Sequence, residues 1–167
     1  MNAEGFGSRV GTHYRGRPAE VRALNAYIKL TRAVSSVGAR LSRPLADQGL
    51  TPTQLGVLEA LLHLGPLGQR VLGEKLLMSG GNITTVVDNL ERRELVRRER
   101  SGDDRRNVTV HLTTDGRRLI ASVFPGHAAA IAEAFSVLTT AEQDELARLT
   151  KKLGLGEPRA RPPTGQV

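Results

Sequence analysis

Cysteine is absent from the 167-residue chain, which removes disulfides, thiol catalysis, thiol redox sensing and cysteine-based zinc sites in one step. Long apolar runs are absent too. No stretch approaches the ~20 consecutive apolar residues of a membrane-spanning helix, and Met1 to Arg17 has no apolar segment of the kind a signal peptide carries. Both absences fit a cytoplasmic location. The four histidines, His13, His63, His111 and His127, form no H-x-x-x-H or H-E-x-x-H pair. No nucleophile elbow and no dinucleotide fingerprint is found. The chain is therefore not expected to be an enzyme, and no cofactor or metal is expected. Folding could still bring His63, His127 and Glu59 together as zinc ligands, although each is more often a packed or surface residue.

What is present is a basic, globular composition: 39% hydrophobic, 25% charged, and a net charge of +7 from 24 Lys+Arg against 17 Asp+Glu. Such a balance points to a polyanionic partner. The charge is concentrated. From Arg92 to Arg106 there are seven arginines (Arg92, Arg93, Arg97, Arg98, Arg100, Arg105, Arg106) against four acids (Glu94, Glu99, Asp103, Asp104), a surplus of three. A charge run is commonly just a solvated surface, so its place in the fold decides its meaning.

The periodicities supply that place. Apolar residues at Val21, Leu24, Ile28, Val34, Val37, Leu41 and Leu45 predict a first helix from about Pro18 to Asp47. Its length exceeds what one small core needs, which suggests an intermolecular role. Thr51-Pro52-Thr53-Gln54 is a capping box that opens a second helix, and Gly65-Pro66 closes it. A short helix is expected from Gln69 to Leu77, then a turn at Met78 to Gly81, then a helix from about Gly80 to Arg93 with Ile83, Val86, Val87 and Leu90 on its buried face. Two alternating segments, Val96 to Arg100 and Asn107 to Leu112, read as a β-hairpin. Thr113 or Thr114 caps a long helix that Pro125 should kink or divide. Thr139 to Glu142 forms another capping box, and Gly154 is expected to end the last helix. The fold class is thus mainly α with a small β-wing. A disordered tail is expected over 1–18 and a flexible one over 155–167.

A short helix, a turn, an amphipathic helix and a basic hairpin follow one another in the order of a winged helix-turn-helix, spanning about Leu67 to Leu112. The second helix of that motif enters the DNA major groove. Opposite its apolar face it carries Gly81, Thr84, Thr85, Asp88, Asn89 and Arg92. These small polar side chains can reach base edges. Asp88 either accepts from cytosine N4 or orients Arg92. Ser79 and Asn82 at the helix start suit a DNA phosphate. Asp104, Arg105 and Arg106 stand at the hairpin tip, where an arginine can enter a narrow minor groove.

These residues resemble the MarR family of bacterial transcription regulators over about Tyr27 to Leu153. The most specific segment is SGGNITTVVDNLERRELVRR (79–98), with Asp104-Arg105-Arg106 and Leu112-Thr113-Thr114-Asp115-Gly116 after it. The stretches Gly49 to Gln54 and Phe124 to His127 are similar as well. The resemblance implies one domain over 19–154, with dimerisation helices at about 19–47 and 114–154 flanking a winged helix-turn-helix at about 51–113. It further implies a homodimeric repressor on a pseudo-palindromic operator in double-stranded DNA, released by a small, often phenolic ligand. Arg106 is carried over as the minor-groove arginine and Asp104 as its partner. Tyr27 and His127 are candidates to touch an aromatic effector, and ordinary helix packing accounts for them equally well. A regulator independent of ligand or metal, or a winged-helix protein-interaction module, is the alternative. Two departures stand out. Glu94 replaces the glycine usual before the wing, so the αL cap there should be made differently, and Gly68 replaces a Ser or Thr cap, so the short helix should fray at its start.

Overall fold

The computed structural model describes residues 11–100 and 108–156. These contain six helices and three strands: α1 (Pro18–Asp47), α2 (Pro52–Leu64), β1 (Leu67–Gly68), α3 (Gln69–Lys75), α4 (Gly80–Arg92), β2 (Val96–Arg100), β3 (Val108–Leu112), α5 (Thr114–Phe135) and α6 (Thr140–Leu155). Two compact units result, one up to Ala129 and one from Ala130 onward.

The core of the first unit is aliphatic. Leu58, Leu61, Leu72, Ile83, Val87, Leu90, Val96, Val110 and Ile120 are essentially inaccessible, and each buried Leu or Ile side chain contributes about 1.5–3 kcal/mol. They come from α2, α3, α4, the sheet and the start of α5, so the elements of the winged motif share one core. α2 begins as its sequence dictates: the Thr51 hydroxyl accepts from the Gln54 N–H (3.2 Å), and Thr51 N–H donates to Gln54 Oε1 (3.0 Å). Thr113 caps α5, its hydroxyl accepting from Gly116 N–H at 3.0 Å. Pro125 lies inside α5 without dividing it.

The sheet holds one strand more than the hairpin. β1 pairs antiparallel with β3, giving the order β1-β3-β2, with Gly68 opposite Thr109. Gly68 is the N-cap of α3 and makes no side-chain cap bond. The expected fraying is countered, because the residue is held in the sheet. α3 also stops two residues short of Leu77. α4 starts at Gly80 as expected, so Gly80 and Gly81 are helical and not part of the turn. The turn is made instead by Leu77 at φ +53°, with Met78 N–H donating to Gly73 O (2.8 Å) and Leu77 N–H to Glu74 O (3.2 Å).

The same Schellman closure ends α1 and α4. At α1, Gly49 takes φ +66° while Leu50 N–H donates to Leu45 O at 2.9 Å. At α4, Glu94 takes φ +56°, Leu95 N–H donates to Leu90 O (3.0 Å) and Glu94 N–H to Glu91 O (2.8 Å). The expectation of a different cap is therefore corrected: the αL cap is the usual one, with glutamate forced into it. Burial of Leu90 and Leu95 on either side holds the backbone there. A non-glycine in αL costs about 1–2 kcal/mol, part of which glycine would lose again through a more flexible unfolded chain. Glu94→Gly should raise the unfolding free energy by about 0.5–1 kcal/mol. A thermal melt then shows a midpoint higher by a few degrees, and an unchanged or lower midpoint refutes the strain.

Residues 11–17, read from sequence as part of a tail, are tied to α1. Thr12 N–H donates to Asn25 Oδ1 (2.7 Å), and the Tyr14 hydroxyl donates to Glu20 (3.2 Å). The Arg17 side chain holds the Glu20 carboxyl below its usual range. Along α1 itself only Leu45 is buried, and Tyr27 and Val34 are each 65% exposed.

In the second unit the end of α5 turns into α6. Gln143 Nε2 donates to Phe135 O (3.2 Å) and Leu138 O (3.1 Å) across that turn. Thr139 and Glu142 form the expected capping box, whose Thr139 N–H keeps the Glu142 carboxyl below its usual range. α6 ends at Gly156 in αL (φ +64°), not at Gly154, which remains helical. No residue of α6 is buried.

Candidate nucleic-acid interface

α4 starts because Ser79 stays extended and its hydroxyl accepts from Asn82 N–H (3.3 Å). Its 3.6-residue period then sends Ile83, Val87 and Leu90 into the core. The opposite side is the one the sequence singled out. Ser79, Gly81, Asn82, Thr84, Thr85 and Arg92 are exposed and Asn89 is half-buried.

The hydrogen bonds within this face narrow what it can offer. Thr84 and Thr85 each donate their hydroxyl proton back to the helix, to Gly80 O (2.8 Å) and Gly81 O (3.1 Å). What remains outward is acceptor lone pairs and methyl groups. Arg92 donates to Asn89 Oδ1, leaving the Asn89 amide N–H groups as donors. Asp88 does not orient Arg92. It pairs with Arg98 of β2 at 2.6 Å.

Arg98 is the residue the sequence reading passed over, as one of seven in a charge run. Its Nη1 donates to Glu91 Oε2 (2.7 Å), its Nε to Gln69 Oε1 (3.0 Å), and its Nη2 reaches Asp88 and the Thr84 carbonyl (3.4 Å). Its backbone N–H adds a bond to Glu91 Oε1 (2.8 Å). The signal was available in the alternation of β2. Arg98 shares the face of Val96, which is buried against α4, so a cation there must find carboxylates.

The rest of the run is similarly divided. Arg97 pairs with Glu99 (2.8 Å), and His111 also approaches Glu99 (3.3 Å). The Arg97 hydrogen bond, its charge and then that of His111 draw the Glu99 carboxyl below its usual range. Arg93 donates to Gly49 O at 2.6 Å, clamping the end of α4 to the end of α1. Between the starts of α3 and α4 and the edge of β3 lies a groove of about 440 Å³, lined by Gln69, Arg70, Val71, Gly80, Thr84 and Thr109 among others. The Arg70 side chain is 88% exposed there.

Asp104, Arg105 and Arg106 lie outside the described residues. Tyr27 lines an open depression with Tyr14, Glu20, Ala23 and Leu24. His127 is half-buried on α5 and is not part of that depression. His63 sets its ring edge against Phe124, with centroids 5.2 Å apart. Among the described residues no three His, Asp or Glu side chains converge on a metal site, and no single helix is long and apolar enough to cross a membrane.

A family model described as "MarR family" matches residues 48–107, the segment holding α2 to β2. The HTH-type transcriptional regulator YkoM of Bacillus subtilis is 41% identical over 134 residues, covering 80% of this chain and 87% of its own. The chain belongs to the MarR family. It is accordingly a DNA-binding transcriptional regulator with a winged helix-turn-helix. Among solved structures, Bordetella bronchiseptica BpsR, whose DNA binding is regulated by 6-hydroxynicotinic acid, is 27% identical with a TM-score of 0.72, over 77% of this chain and 98% of that one. The MarR family regulator Sco3205 of Streptomyces coelicolor, solved in complex with DNA, shares the fold at 24% identity and a TM-score of 0.77, covering 89% and 95%.

Proposed function

We propose that this MarR family member is a homodimeric repressor of the cytoplasm. It reads a pseudo-palindromic operator with α4 in the major groove and Arg106, oriented by Asp104, in the minor groove. The observation that carries this reading is the two-sided chemistry of α4: one side fully absorbed in the core, the other bare of apolar groups and lined by Ser79, Gly81, Asn82, Thr84, Thr85, Asn89 and Arg92. Arg105 is assigned to the backbone beside Arg106.

A second copy is supported by α1. A 30-residue helix with a single buried residue leaves Tyr27, Val34 and the half-exposed Val37 and Leu41 for a partner. α6, with Leu149, Leu153 and Leu155 exposed, supports it independently. The effector is proposed to be a small hydroxylated aromatic acid or phenol, the class that includes 6-hydroxynicotinic acid, which regulates DNA binding by BpsR.

Fluorescence anisotropy on DNA from upstream of the protein's own gene tests the reading. Binding should exceed that to a random duplex of equal length by several hundred-fold or more, on the order of 10³. Equal affinity for the two would refute sequence-specific recognition. Arg106→Ala should weaken operator binding about tenfold or more while size-exclusion elution stays that of a dimer.

A further inference from the structure

Arg98 sits beside the reading face of α4 but is not free to touch DNA. Four donor directions of its guanidinium are engaged by Gln69, Glu91, Asp88 and the Thr84 carbonyl, and its side chain is only 21% exposed. Its bond to Gln69 has a consequence for polarity. A guanidinium can only donate, so the Gln69 atom facing Nε at 3.0 Å is oxygen, and the amide cannot be flipped. The Gln69 Nε2 therefore faces Thr84 and donates to its hydroxyl oxygen at 2.9 Å. Thr84 must accept there, so its own proton goes to Gly80 O. Three residues on β2, α3 and α4 thus form one directed chain. Its end presents Thr84 to the outside with one lone pair and a methyl group, and no donor.

We propose that Arg98 is a positioning residue for base recognition and not a phosphate ligand. Through Gln69 it sets Thr84 as an acceptor, and through the ion pair with Asp88 it neutralises a carboxylate on the face turned toward DNA. This rests on the reading of α4 as the major-groove helix. Thr84 in this state suits a base edge that displays an exocyclic amine or a methyl group, and it disfavours the acceptor edge of guanine.

The test uses the full-length protein, a duplex selected from a randomised pool by the wild type, and a shuffled duplex of the same length. Arg98→Met should lower the ratio of selected to shuffled affinity about tenfold, the scale of discrimination that one base pair supplies. The slope of log affinity against log salt should not move. A phosphate ligand would instead reduce that slope by about 0.9 for each of the two protomers and weaken both duplexes together. A purely structural role would lower both affinities in step with the folded fraction seen by circular dichroism, leaving the ratio intact. Either result overturns the proposal. Gln69→Met supplies a variant less exposed to folding loss: it should also lower the ratio, by no more than Arg98→Met does because the Asp88 pair survives, and the double variant should be no worse than Arg98→Met alone. Additive losses overturn the relay. A wild type that selects no duplex overturns the reading of α4 as well, whereas a selective wild type with an unchanged Arg98→Met ratio overturns this inference alone.

Discussion

Replacing Gly116 by alanine is expected to lower the unfolding free energy by about 3 kcal/mol, the upper end of what an added methyl costs in a packed interior. A Cβ at this position would stand 1.9 Å from the Leu95 carbonyl oxygen and 2.8 Å from its carbon. Both are backbone atoms, so no rotamer change can clear them. The Leu95 peptide is also held from three sides. Its N–H donates to Leu90 O, its carbonyl accepts from Thr113 N–H at 3.1 Å, and the Thr113 hydroxyl donates to the neighbouring Glu94 carbonyl at 2.6 Å. Gly116 thus does not serve a special backbone angle; it lets the first turn of α5 press onto the chain leaving α4. Gly126 on the same helix is the control. A Cβ there meets nothing within 4 Å, so alanine should stabilise by up to about 1 kcal/mol through helix propensity. Urea unfolding of both variants decides the matter: a Gly116→Ala loss below about 1 kcal/mol would mean the packing there is soft.

The affinity of the proposed dimer for its proposed operator is expected to fall by about 10³ or more between 50 and 200 mM salt, as for proteins that neutralise about six or more phosphates. The supply of cations is smaller than the sequence suggests. Of the five arginines between positions 92 and 100, Arg98 lies in an ion-pair network, Arg97 faces Glu99, and Arg93 is bonded to a carbonyl. The exposed Arg92, Arg100 and Arg70 (the last only loosely paired with Glu74, at 3.5 Å), with Arg105 of the wing as proposed, are the candidates for phosphate, doubled by the symmetry of the proposed dimer. Arg97 and Arg98 should leave the slope unmoved when neutralised one at a time, while Arg70→Ala should reduce it by about 0.9 for each phosphate that Arg70 neutralises in the wild type. A shallow titration, with affinity changing less than about tenfold over that salt range, would contradict a phosphate-dominated complex.

What was readable in the sequence, and what was not, follows the range of the interactions involved. Ser79, Thr51, Thr113 and Thr139 cap their helices with bonds to residues three positions on, so local spacing reveals them. The same holds for the outward face of α4, because a 3.6-residue period assigns each residue to a side once the apolar ones are known. β1 escaped because two residues carry no periodicity and its existence depends on β3, some forty positions away. Leu77 and Glu94 escaped because residue identity argues against αL; at Glu94 the conformation is imposed by Leu90 and Leu95, buried on either side of it. Asp88 and Arg98 lie ten positions apart on different elements, and nothing local tells a paired charge from a solvated one. By itself, the sequence determined the order of the helices and of the β2–β3 hairpin, the family, and which face of α4 turns outward as the proposed DNA-reading side. Tertiary structure alone decided which charges on that face are neutralised and which way its hydroxyl protons point. Both depend on Arg98 of the wing reaching Gln69 and Asp88 across the fold, and hydrogen-bond polarity is set by whichever donor packing brings into range.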